Sequence, residues 1–179
     1  MLGSLFRSLG LGGDDDGPVG TETVGAIVHA IDGLAPERAR FVAAFAYLLS
    51  RVASADHEVT AHERETMEQQ LGALSSGLPS AQATEAVRLA LAATGRHGAT
   101  EDYQVAREFA ALATDEEKLR LLRCLFALSA HHGISTSEDN EISRIANGLR
   151  LEQRLVAQVR AEFRPQLNVL REDVGRASS

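Results

Sequence analysis

Two short polar turns carry most of the side chains in this sequence that could bind or transform anything. The first holds Asp56, His57, Glu58, His62 and Glu63, and the second holds His131, His132, Glu138, Asp139 and Glu141. Carboxylates and imidazoles this close in sequence can ligate a divalent cation. The same acids also suit the first turn of a helix, where the dipole favours negative charge. Spacing leaves both readings open, solvated caps or a cation site. It does exclude two familiar motifs. An EF-hand loop needs acids at alternate positions, a central Gly and a closing Glu, which the run from Asp56 lacks. The zinc-protease motif HExxH fails twice, since Ala61 follows His57-Glu58 and Thr66 follows His62-Glu63 where the second His belongs. On a helix His131 and His132 would point about 100° apart, which argues against a simple ligand pair.

Other chemistry finds no residues to carry it. Ser50, Ser54 and Ser129 fall on helical segments with no nucleophile elbow around them. The glycines from Gly10 to Gly17 lack the Lys-Ser/Thr of a phosphate-binding loop. Cys124 lies in a strongly apolar run and reads as an inert buried thiol. The expectation is a protein that is not an enzyme, and no small-molecule substrate is identified from its residues.

The elements that position the two turns are helices. The chain has 179 residues, 44% of them apolar and only 4% aromatic, with alanine dominating the apolar set. That is the size of one domain with a full core and the composition of a helix former. Apolar residues recur at helical spacing throughout, as in Phe41, Phe45, Leu48, Leu49 and Val52 behind Pro36. Met67, Leu71 and Leu74 predict the next helix, and Ala83, Val87, Ala90 and Leu91 another after Pro79. Val105, Phe109 and Leu112 predict a fourth. Leu119 to Leu128 is apolar on nearly every face and reads as the central buried helix. Ile142, Ile145 and Leu149 predict a one-faced helix, and Leu155, Val156, Val159 and Phe163 a last one that Pro165 should break. Thr60-x-x-Glu63, Thr114-x-x-Glu117 and Ser135-x-x-Glu138 each have the form of a capping box. The fold class is therefore all-α, a compact bundle of about seven to eight helices.

The turns also belong to a repeat. Residues 49–74 and 124–149 align at a constant offset, with Ser54/Ser129, Ala55/Ala130 and Glu63/Glu138 identical. Val59/Ile134, Thr60/Ser135 and Met67/Ile142 are conservative. Each copy reads as an apolar helix, a polar turn, a capping box and an amphipathic helix, a duplicated helix hairpin.

The first copy ends its helix Leu49-x-x-x-Ala53-x-Ala55-Asp56 and continues His57-Glu58-Val59-Thr60-Ala61-His62-Glu63. This resembles the TerB-like family, typified by tellurite-resistance protein TerB, in which the turn runs Asp-Gly-Glu-(Ile/Val)-(Ser/Thr)-x-x-Glu. His57 stands where the family prefers Gly. The second copy keeps Ile134, Ser135 and Glu138 but has His131 in place of the acid. The resemblance covers residues 36–150 or more. It implies a bacterial, mostly acidic, all-helical module that binds a divalent metal cation through acidic side chains in tellurite and metal stress, with protein partners near the membrane. Relatives are fused to co-chaperone J-domains, which makes a protein-interaction adaptor the alternative. Carried over by position, Asp56, Glu58, Glu63 and Glu138 are the cation candidates. If the two hairpins pack as a pseudo-twofold pair, His131 and Glu141 join them, and a bound cation would relieve the repulsion among the gathered acids.

Charge, termini and cysteine use bound the setting. The net charge is −7, which speaks against wholesale binding of nucleic acid. Residues 142–179 hold seven arginines against four acids, so the rest of the chain is more acidic still. Those arginines lack interleaved aromatics and can pair with the acidic body. A single cysteine fits a reduced, cytoplasmic protein. The longest apolar stretch, Phe41 to Leu49, is short of the ~20 residues that span a bilayer. Residues 1–18 read as a flexible segment and linker, with Leu2, Leu5, Phe6 and Leu9 on one side and Gly12 to Pro18 behind. That strip gives the adaptor reading its peripheral contact with the inner membrane face. The helical domain is expected over 19–175.

Overall fold

The computed structural model describes residues 22–56, 58–74, 78–94 and 99–167. These form eight α-helices: α1 (Glu22–Ala30), α2 (Pro36–Ala53), α3 (Ala61–Leu74), α4 (Ser80–Ala93), α5 (Ala99–Leu112), α6 (Asp115–Ser129), α7 (Thr136–Gly148) and α8 (Gln153–Glu162). A short 3-10 turn follows at Arg164–Gln166. Among the described residues the one β-like feature is a parallel bridge between Ile134 and Leu167, where the Ile134 N–H donates to the Gln166 carbonyl at 2.7 Å. The expected all-α bundle is what the chain forms. The strip from Leu2 to Leu9, the linker, and residues 168–175 of the expected domain lie outside the described residues.

Local chemistry sets the helix boundaries where the sequence places them. Pro36 opens α2 with its φ already helical and no N–H to leave unpaired. Thr114 caps α6 and Ser135 caps α7 with complete capping boxes. Thr60 does the same for α3: its hydroxyl accepts the Glu63 N–H, and Glu63 accepts the Thr60 N–H. α8 stops at Glu162, just before Pro165. The carbonyls left over at the end of α3 are taken by guanidiniums, Arg38 on Leu74 at 2.6 Å and Arg120 on Ala73 at 3.0 Å.

The centre of the bundle differs from the sequence expectation. α2, not the Leu119–Leu128 run of α6, is the buried axle. Thirteen of its 18 residues are buried, and it packs against α1, α3, α4, α5, α6 and α7. The physical reason lies in the polar residues between the leucines of α6. Arg120 turns outward to α3 and Arg123 to Glu162 on α8, so α6 buries one broad face only: Leu121, Leu122, Leu125, Phe126 and Leu128. In α2 the alanines 43, 44 and 46 are all buried and let neighbours approach from every side. Phe41 stacks on Phe109 of α5 with ring centroids 4.8 Å apart. Leu112 at the end of α5 is 39% exposed, not core. The next residue in, Phe109, is fully buried and ends the apolar stripe.

Candidate cation site at the paired turns

The repeat read from the sequence is a structural repeat. In both hairpins the second helix opens with a Glu whose Oε2 accepts the N–H of the cap residue at 2.8 Å. In both, the Glu N–H returns to the cap hydroxyl at 3.2 Å. Both glutamates are buried, Glu63 at 5% and Glu138 at 4% exposure. The third capping Glu, Glu117, lies outside the repeat and keeps 29% of its side chain exposed. A carboxylate that is buried among its own helix's N–H groups is committed there. It is not poised for an ion in solvent.

The two turns do meet, and imidazoles are where they touch. His62, in the first turn of α3, lies on His131, in the turn after α6, with ring centroids 4.1 Å apart and planes 35° apart. His131 in turn meets His132 nearly edge-on, at 4.7 Å and 82°. All three residues are exposed. The helical argument that separated His131 from His132 does not apply, because α6 ends at Ser129. Both histidines sit in the connecting turn, which closes at Gly133 with φ of +89°, a conformation that costs Gly nothing.

The six nominated residues therefore divide. Asp56 and Glu58 are exposed on the first turn, where the Asp56 carboxylate accepts the Glu58 N–H at 3.3 Å. His131 is exposed and lies against His62 with the rings tilted. Glu63 and Glu138 are held in their capping boxes. Glu141 is 6% exposed on α7, where it accepts from Arg144 at 2.6 Å. Burial pushes the Glu141 carboxyl above the usual range, and the nearby Asp102 charge adds to this, while Arg144 and Arg51 oppose it. A hard ion such as calcium takes six to eight oxygen ligands. Of the nominated carboxylates only Asp56 and Glu58 are exposed, so the donor set does not fit an oxygen-only cradle. Among the described residues, no group of three or more His, Cys, Asp or Glu side chains is placed to hold a metal ion.

A second polar cluster lies deeper, and sequence reasoning missed it. The Tyr47 hydroxyl on α2 donates to Asp102 on α5 at 2.8 Å, and Arg51, one turn along α2, lies 2.8 Å from the same carboxylate oxygen. Asp102 is only 2% exposed. Burial, and then the Asp102 carboxylate, push the Tyr47 phenol far above its ordinary pKa. The available signal was an Arg four residues after a Tyr inside a long Ala- and Leu-rich helix, which places both on one face. Asp102 itself looks like an ordinary first-turn acid. Cys124 is only half-buried and lines an open groove with Arg120, Arg123, Ala127 and Phe163. Burial pushes its thiol pKa up, with Arg120 opposing, but the thiol is not the fully buried one that the apolar run of α6 predicts.

An all-helical bundle built on a duplicated hairpin, with matched capping glutamates, defines a small helical repeat module. The sequence model of the family described as tellurite resistance protein TerB matches residues 42–161, which takes in α3 to α7 and most of α2 and α8. The chain belongs to the TerB family. Comparison with curated proteins and with solved structures gives no match. No helix among the described residues is long and apolar enough to cross a membrane.

Proposed function

We propose that this TerB-family chain is a non-enzymatic module of the tellurite and metal stress response that takes up a divalent cation where its two hairpin turns meet. The observation that carries this reading is the contact of His62 with His131 across the two copies, with Asp56 and Glu58 exposed on the first turn. This contact joins the two hairpins, and these side chains carry none of the capping duties that occupy Glu63 and Glu138. A thermal-shift series with Ca²⁺, Mg²⁺, Mn²⁺ and Zn²⁺, each against EDTA, tests it. At least one ion should raise the melting temperature of the full chain. No shift with any of them at millimolar metal overturns the reading.

A second reading, a protein-interaction adaptor acting near the inner membrane face, is favoured by the groove along α6. Its lining combines Ala127 and Phe163 with Glu116, Glu117, Arg120 and Arg123. This mixture suits a partner helix with both apolar and charged residues. Co-sedimentation with liposomes, comparing the full chain with one starting at Val19, tests the membrane part. Equal partitioning of the two removes it.

A further inference from the structure

We propose that residues 2–9 of this chain dock in the groove along α6, so that the groove is filled from within and a partner must displace the strip to enter. The inference goes beyond the adaptor reading, whose groove it shares. It needs neither the cation nor the membrane.

Three observations support it. First, the groove offers apolar surface and room. Its volume is about 450 Å³, the size of a small-ligand pocket and space for a few side chains. Phe163, stacked on Phe126 with ring centroids 5.4 Å apart, lines it together with Ala127 and Cys124. Second, the charges of the lining select what can enter. Arg123 is spent on Glu162, Arg120 on the Ala73 carbonyl, and Glu117 on Arg38 and its own cap. Glu116 is the one charged group of the lining with no hydrogen bond or ion pair among the described residues. The groove therefore suits a segment that is apolar along one side and carries a single positive charge. On a helix Leu2, Leu5, Phe6 and Leu9 share one side, and Arg7 is the only charged residue between positions 1 and 11. Residues 168–179 match less well, since they mix Arg171 and Arg176 with Glu172 and Asp173. Third, the strip can reach. Leu9 is 13 residues from Glu22, where α1 begins, and a chain of that length spans about 43 Å when extended. Both α1 and α6 pack on α2, and packed helix axes lie about 8–10 Å apart, so α1 and α6 come within about 20 Å of each other.

The chain carries its own reporter. Cys124 is the only cysteine and lines the groove, so the rate of its alkylation reads whether the groove is covered. The experiment follows iodoacetamide labelling of the full chain by mass spectrometry, at one alkaline pH that supplies thiolate. We expect the Leu5→Asp, Phe6→Asp double variant to label about fivefold or more faster than the parent, because two apolar side chains no longer favour the groove. Ser4→Asp, on the other side of the strip, should label as the parent does. The added acids would raise the thiol pKa if they acted on it directly, which slows labelling, so a faster rate is not their electrostatic by-product. The Leu5→Ser, Phe6→Ser variant repeats the comparison with no added charge. Circular dichroism melts of each variant exclude unfolding as the source of a faster rate. Equal rates in the parent and both double variants overturn the proposal and leave the groove to an outside partner, so the adaptor reading survives that result. Protection of the parent that fades on dilution places the strip in the groove of a second copy and overturns docking within one chain.

Discussion

Gly148 on α7 lies so close to Ala106 on α5 that a methyl group built on it would stand 2.6 Å from the Ala106 Cβ. No other side chain than hydrogen fits there without moving a helix. Gly148→Ala should therefore destabilise the fold by about 1–3 kcal/mol, the usual cost of overpacking. Gly72 on α3 is the matched contrast, with nothing within 4 Å of its would-be Cβ. Gly72→Ala should stabilise by about 0.4–1 kcal/mol through the unfolded chain. Urea denaturation of the two variants reads both signs, and equal effects would refute the contact.

Tyr47 and Arg51 share the Asp102 carboxylate from one face of α2. Tyr47→Phe removes one donor to a carboxylate and should cost about 1.5–3 kcal/mol. Asp102→Ala leaves the guanidinium, largely buried at 18% side-chain exposure, without its partner. That should cost about 3–5 kcal/mol. Equilibrium unfolding of the pair should show this order, and a reversed order would mean that the ion pair is incidental to the packing of α5.

Glu141 gives the pH dependence. Its carboxyl is raised in the fold chiefly by burial, so the unfolded chain ionises at a lower pH than the folded one. Below the ordinary glutamate range the group is neutral in both states and costs nothing. As pH rises through the folded pKa, that stability is lost. Glu141→Gln should match the parent in acid and become the more stable of the two near neutrality, measured by urea midpoints across the range. A variant less stable than the parent at neutral pH would show that the Arg144 pair outweighs desolvation.

The capping boxes should rank by burial. Thr60→Ala and Ser135→Ala each expose a helix start and loosen a buried Glu, and should cost about 1–2 kcal/mol. Thr114→Ala, beside the more exposed Glu117, should fall nearer 0.5–1 kcal/mol. Thermal melts of the three single variants check the ranking.

Much of this was legible in the residues. The helices, their prolines and all three capping boxes follow from local spacing, because each depends on side chains three or four positions apart. The duplicated hairpin was legible too, since Glu63 and Glu138 occupy matching places. What local spacing cannot reveal is which helix its neighbours surround. α2 and α6 are both apolar runs, and only the outward reach of Arg120 and Arg123 across the fold separates axle from flank. The contact of His62 with His131 joins positions almost seventy residues apart, and the burial of Asp102 depends on α2 lying over it. The carboxylates drew attention because acids at a helix start resemble ligands; for Glu63 and Glu138 only the folded chain shows them buried and bonded to their own cap residues.

The placing of α2 has a consequence for synthesis. Its apolar surface leaves the ribosome early, yet the helices that cover it, α5, α6 and α7, come later, the last ending at Gly148. Until then α1, α3 and α4 cover only part of α2, and the nascent chain carries a half-sheathed greasy rod that invites aggregation.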